Sequence, residues 1–154
     1  MASQAAVDKH RVTAVLVSHN GAVWLPEVVA ALTSQTRPID LITAVDTGSQ
    51  DASTKLLKSA RIPFIAADVE TGFGAAVSLA VNKLPKPVDH EWIWLIHDDC
   101  APAPTALAEL LAAVEDRPQV VMIGPKLLGW HDRTHLLEAG ISIAGNGARW
   151  TGLE

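Results

Sequence analysis

The sequence predicts an α/β protein: a three-layer α/β/α sandwich with a mainly parallel central sheet. Three observations predict it. Strand-length apolar runs alternate with helix-period segments in the order β-α-β-α-β-α-β-α-β, the pattern of a doubly wound sheet. The runs Val12–Val17, Leu41–Val45 and Trp92–Ile96 are almost continuously apolar, as strands covered on both faces are. Polar clusters follow these runs directly, and in open parallel sheets ligands bind at the carboxyl ends of the strands.

Each element has its own signal. Val12–Val17 is the first strand, broken by Ser18-His19-Asn20-Gly21. Leu25, Val28, Val29 and Leu32 then recur at helical spacing, with Pro26 in the first turn, where a missing N–H costs little. Leu41–Val45 is a strand that stops at Asp46-Thr47-Gly48-Ser49, and a short helix is expected from about Asp51 to Ala60. Ile62–Ala66 is a third strand. Gly72-Phe73-Gly74 leads into an Ala/Val helix ending near Lys83, and the Pro-rich stretch Leu84–Val88 is a loop. Trp92–Ile96 is the most apolar strand and runs straight into His97-Asp98-Asp99. Pro104 opens a helix with Leu107, Leu110, Leu111 and Val114 on one face, and Val120–Ile123 reads as a fifth strand. The Gly-rich segment Leu136–Trp150 reads as loop plus hairpin.

Composition narrows the partners. With 154 residues, 49% of them hydrophobic, the chain has room for one domain with a real core. The formal charge of -5, without a Lys/Arg run, argues against nucleic acid and against an anionic membrane surface. Cys100 is the only cysteine, so no internal disulfide is possible and a reducing, cytoplasmic setting is expected. Residues 1–11 carry no signal-peptide core and read as a flexible segment, and no apolar run is long enough to span a bilayer.

Four constellations carry candidate chemistry. In His97-Asp98-Asp99, adjacent carboxylates are costly unless a cation compensates them, which points to a hard divalent ion or to a solvated, helix-capping acidic turn. In Asp46-Thr47-Gly48-Ser49-Gln50-Asp51, Gly48 permits a tight turn and Ser49 suits a helix N-cap. Asp46 could there accept hydrogen bonds from a base or ribose, against the plainer reading of a strand-to-helix turn. Gly72-Phe73-Gly74 before a helix lets backbone N–H groups approach an anion, but it lacks the full dinucleotide pattern, and loop geometry explains it as well. His131, His135 and Glu138 would share one face of a helix and suit zinc. Their flanking glycines and the missing H-E-x-x-H glutamate weigh against it. Among the five tryptophans, Trp92 and Trp94 read as packing, while Trp130 and Trp150 could flank a sugar.

Taken together these segments resemble the family 2 glycosyltransferases of the GT-A, Rossmann-like fold, over Val12 to Pro125. Val12–Gly21 is similar to the family's opening strand and Asn-containing turn. Asp46–Asp51 is similar to its D-x-G-S-x-D segment, Gly72–Ala76 to its N-x-G-F-G-x-A segment, and Trp94–Asp99 to its metal-binding D-x-D. The departures are His97 in place of the first Asp of D-x-D, Glu70 in place of the Asn before the Gly-rich loop, and Ser78 in place of a common helix Asn.

The resemblance implies metal-assisted, inverting transfer of a sugar from a nucleotide-diphosphate donor to a glycan, lipid or protein acceptor. It implies Mg²⁺ or Mn²⁺ at Asp99 and His97, and donor contacts from Ser18, Asn20, Asp46, Gly48, Ser49, Gly72, Gly74, His97 and Asp98. The family's general base belongs to the acceptor half, which is expected beyond Glu154. Residues 12–125 are therefore expected to be the donor-binding subdomain and 126–154 the start of an incomplete acceptor region. Membrane contact is expected only through parts outside this chain, at the inner face, and a homodimer is compatible with the sequence. Two rival readings remain: a nucleotide-sugar-binding domain without catalysis, and a sugar nucleotidyltransferase-like enzyme. The second would want a basic Gly-rich loop after the first strand, and Ser18–Ala22 offers no cation.

Overall fold

A computed structural model describes residues 10–140, 142–143, 145–146 and 149–150, without the side chains of 142–143 and 149–150. The chain divides into two compact units, Met1–Ala112 and Ala113–Glu154.

In the first unit the strands are β1 (Arg11–Ser18), β2 (Leu41–Thr47), β3 (Phe64–Ala67) and β4 (Glu91–His97). They form one sheet in the order β3-β2-β1-β4, and every pairing is parallel. The three long apolar runs are thus neighbours, as their pattern requires. β1 is the central strand and is buried from Val12 to Ser18, which explains its unbroken apolar run.

Helices α1 (Leu25–Thr33), α2 (Ser53–Ser59), α3 (Phe73–Val81) and α4 (Ala106–Val114) cover the sheet. Side chains alternate across a strand, and the two faces of β1 have different covers. Val15 and Val17 join Val45 against Ala76 and Ala80 of α3. Val12, on the other face, packs with Leu107 and Leu111 of α4, and Trp92 and Trp94 close that cluster. Right-handed crossovers from β1 to β2 and from β2 to β3 put α1 and α2 on one face. The reversed step from β3 to β4 puts α3 on the other. α1 buries Leu25, Val28 and Leu32 and has Pro26 in its first turn, as its spacing predicts.

The strand order reverses between β1 and β4: the chain leaves β1 for β2 on one side and later returns to β4 on the other. That is a topological switch point, and its crevice lies at the carboxyl ends of β1 and β4.

The second unit has two short antiparallel pairs, β5 (Leu127–Leu128) with β6 (Leu136–Glu138) and β7 (Ser142–Ile143) with β8 (Arg149–Trp150). The expected fifth strand at Val120–Ile123 does not form, and Val121 is 88% exposed. A short apolar run becomes a strand only where a neighbour offers a ladder for its N–H and C=O groups. In this unit the ladders pair other residues. His131 and His135 lie in turns instead of on a helix, so the shared face that a zinc site needed is absent. The Trp150 side chain and Glu154 lie outside the described residues. Among the described residues no helix is long and apolar enough to cross a membrane.

Candidate functional site

The site is built on the carboxyl edge of the sheet, where three loops meet. Register fixes the first layer: Ser18 of β1 is opposite Asp46 of β2, and Val17 is opposite His97 of β4. Strand alternation puts Ser18 and Asp46 on the face away from Val17, Val45 and His97. The cluster therefore spans the sheet edge from both faces.

After β4 the chain turns at once, closed by the Cys100 N–H donating to the His97 carbonyl at 3.1 Å. The turn leaves two adjacent carboxylates in different surroundings. Asp98 is only 3% exposed, whereas the Asp99 side chain is 60% exposed. His97 Nδ1 stands between them, 3.0 Å from Asp98 Oδ1 and 2.9 Å from Asp99 Oδ1. The His97 ring stacks on Phe73 of α3, with centroids 5.9 Å apart. Ligand atoms of His97, Asp98 and Asp99 all lie within 4.8 Å of one another. Burial, and after it the Asp99 charge, pushes the Cys100 thiol up from its ordinary value. The thiol therefore stays protonated at neutral pH.

The loop after β1 is clamped. Its His19 N–H donates to Asp98 Oδ2 at 2.7 Å. A Cβ on Gly21 would stand 2.2 Å from that same oxygen, so only glycine fits there. Asn20 has φ 52, a left-handed conformation that asparagine tolerates. Its N–H donates to Ser49 Oγ at 2.9 Å, and its Oδ1 accepts the Gln50 N–H at 2.8 Å. The His19 ring lies 2.7 Å from the Thr47 carbonyl through Nδ1 and 3.1 Å from Asn20 Nδ2 through Nε2. A carbonyl only accepts, so Nδ1 carries the proton and Nε2 accepts from the Asn20 amide.

The loop after β2 completes the cluster. Asp46 is 3% exposed. Its Oδ2 accepts the Ser49 N–H at 3.1 Å, while its Oδ1 and the Ser18 hydroxyl are buried without a partner. Gly48 has φ +74, and a Cβ there would meet the Val69 nitrogen at 3.0 Å, so its glycine is required twice over. Ser49 does not cap a helix as expected. α2 starts at Ser53 behind Ala52, because the Ser49 hydroxyl is engaged by Asn20 and Asp51 takes over at the helix start. Asp51 accepts the Ser53 N–H at 2.9 Å and the Ala22 N–H at 2.9 Å.

The Gly-rich loop contributes the start of α3. Gly72 is its N-cap, without a side-chain cap, so the N–H groups of the first turn are available to an anion. Neither Gly72 nor Gly74 has a neighbour within 4 Å of a Cβ position. Packing within the chain does not demand these glycines.

The structure thus brings Ser18, Asn20, Asp46, Gly48, Ser49, His97, Asp98 and Asp99 to one edge, with Phe73 of the Gly72–Gly74 loop touching His97. Sequence reasoning placed His19, Gly21, Asp51 and Phe73 within the candidate segments but did not name them among the site contacts. Gly21 had a readable signal, a glycine directly between a buried strand and a helix. The other three depend on tertiary contacts.

The exposed Asp99 carboxylate and the His97 imidazole suit a divalent cation, beside the helix start of α3 that suits phosphate. The orphan Asp46 Oδ1 suits a donor group on a ligand, since an unpaired buried acceptor costs about 1–3 kcal/mol.

Such a sheet, with its polar edge at a switch point, defines an open α/β domain whose candidate ligand site lies across the ends of β1, β2 and β4. Residues 13–134 match glycosyl transferase family 2, and the chain belongs to that family. Its fold is similar to that of glucosyl-3-phosphoglycerate synthase from Mycobacterium tuberculosis in complex with uridine-diphosphate. That match has a TM-score of 0.60 and 16% identity and covers 75% of this chain and 43% of that one. It is also similar to S. aureus TarS 1-349, with a TM-score of 0.55 and 17% identity, covering 69% of this chain and 32% of that one. The chain thus spans less than half the length of these structures. No curated protein sequence matches it significantly.

Proposed function

We propose that this chain is the donor-binding part of a glycosyltransferase that moves a sugar from a nucleotide-diphosphate donor to an acceptor hydroxyl. The observation that carries this reading is the His97-Asp98-Asp99 cluster at the switch point, with its ligand atoms within 4.8 Å and the uncapped start of α3 beside it. The glucosyl-3-phosphoglycerate synthase of similar fold has been determined with Mn²⁺, UDP-glucose and phosphoglyceric acid, which supports the same class of donor here.

In this reading Asp99 and His97 hold Mg²⁺ or Mn²⁺. The α3 start, at Gly72 and Gly74, faces the diphosphate, and the loop carrying Asn20, Asp46, Gly48 and Ser49 receives the nucleoside. When bound, the ion supplies Lewis-acid neutralisation of charge on the departing nucleoside diphosphate. In the transfer itself the acceptor oxygen bonds to the anomeric carbon as the bond from that carbon to the phosphate oxygen breaks. The acceptor proton passes to a general base. An imidazole nitrogen in the donor set favours Mn²⁺ over Mg²⁺, because Mg²⁺ prefers oxygen ligands.

Calorimetric titration of UDP, GDP and dTDP, with and without Mn²⁺, tests the reading. One nucleotide should bind, and Mn²⁺ should tighten it. His97→Asp should keep or strengthen the metal-dependent part. Equal affinity with and without metal would remove the metal role.

A further inference from the structure

We propose that Asp98 is a positioning residue: its carboxylate fastens the loop after β1 to the end of β4, setting the nucleoside-side loop in place without coordinating the metal. This rests on the donor-site reading above.

Burial separates Asp98 from its neighbours. His97 and Asp99 are open to solvent, at 49% and 60% side-chain exposure, while Asp98 is shut in at 3%. Both of its oxygens are engaged. Oδ2 accepts the His19 N–H at 2.7 Å, short for an N–H···O bond and typical of a charged acceptor. Oδ1 faces His97 Nδ1 at 3.0 Å. The Oδ2 position is also the space a Gly21 side chain would occupy. Gly21 and Asp98 form one fitted pair.

The tether matters because of what hangs from it. His19 Nδ1–H holds the Thr47 carbonyl at 2.7 Å, and its Nε2 accepts from Asn20. Asn20 in turn holds both Ser49 and Gln50. The loop after β1 therefore lies between two anchors, Asp98 on the β4 side and residues 47–51 on the β2 side. Without Asp98 the loop after β1 loses its side-chain anchor to the end of β4. The same carboxylate steadies the His97 imidazole, so one residue registers the nucleoside side against the metal side.

The experiment uses the full chain and the variants Asp98→Ala, Asp98→Asn and Gly21→Ala, with Asp99→Ala for reference. Amide hydrogen exchange and ¹⁵N–¹H shifts read the tether without any ligand. In the wild type the His19 amide should be protected and shifted downfield. Asp98→Ala and Gly21→Ala should lose both features and speed exchange at Asn20 and Gln50, while Asp98→Asn, which keeps an acceptor oxygen, should restore them. Calorimetry with UMP in the absence of metal, and with UDP with and without Mn²⁺, reads the consequence. Asp98→Ala and Gly21→Ala should weaken UMP and UDP alike by about tenfold, leaving the Mn²⁺ enhancement ratio unchanged, and Asp98→Asn should recover most of that loss.

Two results overturn the proposal. One is an Asp98→Asn variant that loses the Mn²⁺ enhancement as Asp99→Ala does while its metal-free UMP affinity stays at the wild-type value, which makes Asp98 a metal ligand. The other is a His19 amide unchanged in Asp98→Ala. Absence of any nucleotide binding by the wild type overturns the donor-site reading itself, and the exchange data would still show separately whether the tether exists.

Discussion

The two ends of β2 each carry a carboxylate, and they are treated in opposite ways. Asp40 stands just before the strand. Its Oδ2 accepts the Val12 N–H at 2.8 Å and the Arg37 guanidinium at 2.5 Å, and Arg37 also donates to the carbonyls of His10 and Pro38. Burial works against the Asp40 charge, but the bonds from Arg37 and Val12 outweigh it and hold the carboxyl below its ordinary value. Asp46, near the other end of the strand, is more deeply buried, receives one backbone N–H and keeps an unpaired oxygen. At the amino end a permanent cation closes the account within the chain. At the carboxyl end Asp98 and Asp99 meet the His97 imidazole instead of a permanent cation, and Asp46 and Asp51 lean on N–H groups and a hydroxyl. Identical residue types are thus satisfied within the chain at one edge and left partly unpaired at the other.

The largest effect that separates the two ends is on stability. Arg37 is 7% exposed, and Arg37→Ala strips Asp40 of its cation and two carbonyls of their donor. It should cost about 2 kcal/mol in urea unfolding, mostly from the carbonyls left without a donor because Asp40 is 41% exposed and screened by solvent, and leave nucleotide affinity within about twofold, since distant sites act independently. A loss of affinity matching the loss of stability would break the comparison.

Asp99→Ala is the converse. Its side chain is exposed, so unfolding should shift by less than about 0.5 kcal/mol, while the Mn²⁺-dependent part of UDP affinity should fall at least about tenfold. Unchanged Mn²⁺ dependence, measured by calorimetry, would show that the carboxyl end needs no cation at this residue.

The sheet was legible because its signals are local. The continuous apolar run of β1 marks a doubly covered strand, and the spacing of Leu25, Val28 and Leu32 marks the buried face of α1, whereas the equally apolar β4 is an edge strand with Leu95 47% exposed. The position of the site was legible for the same reason, since polar residues that stop a buried strand must lie at its end. The division of labour inside His97-Asp98-Asp99 was not. Which carboxylate faces inward depends on the turn closed by Cys100 and on the space left by Gly21, some eighty positions away in sequence. Val120–Ile123 failed for a related reason: an apolar run states that a segment can be a strand, and only a partner makes it one.

Gly48 has an intermediate effect and sharpens the contrast within the carboxyl end. Its φ of +74 and the Val69 nitrogen 3.0 Å from a Cβ position make Gly48→Ala strained. The left-handed conformation costs a side chain about 1–2 kcal/mol. The loss should appear in unfolding and, because the loop holds Ser49 and Gln50, in metal-free UMP affinity as well. A stability loss without an affinity loss would place the nucleoside elsewhere on the edge.

The smallest effect concerns acid. Asp51 lies at the exposed rim of the carboxyl end, where the Ser53 hydroxyl, and after it the N–H groups of Ala22 and Ser53, outweigh the opposing effect of desolvation and hold its carboxyl below the ordinary 3.8. The folded protein therefore binds this proton more weakly than the unfolded chain does. The stabilisation is complete above the unfolded value and is lost as pH falls through the lower folded value. Asp40 has the same sign at the amino end, and Asp132, held down by Thr134, has it in the second unit. Acid unfolding of the wild type thus draws on all three. Asp51→Asn removes one titrating group, so urea stability plotted against pH should fall less steeply below pH 3.8, with a residual slope from Asp40 and Asp132. The Asp40→Asn variant should flatten the same limb while leaving UMP affinity intact, whereas Asp51→Asn, which loosens the hold on Ala22, should weaken UMP slightly. An acid limb identical to the wild type's in Asp51→Asn would mean that its contacts with Ser53 and Ala22 do not bias the titration. The two ends would then differ in charge balance alone, and not in how their loops are held.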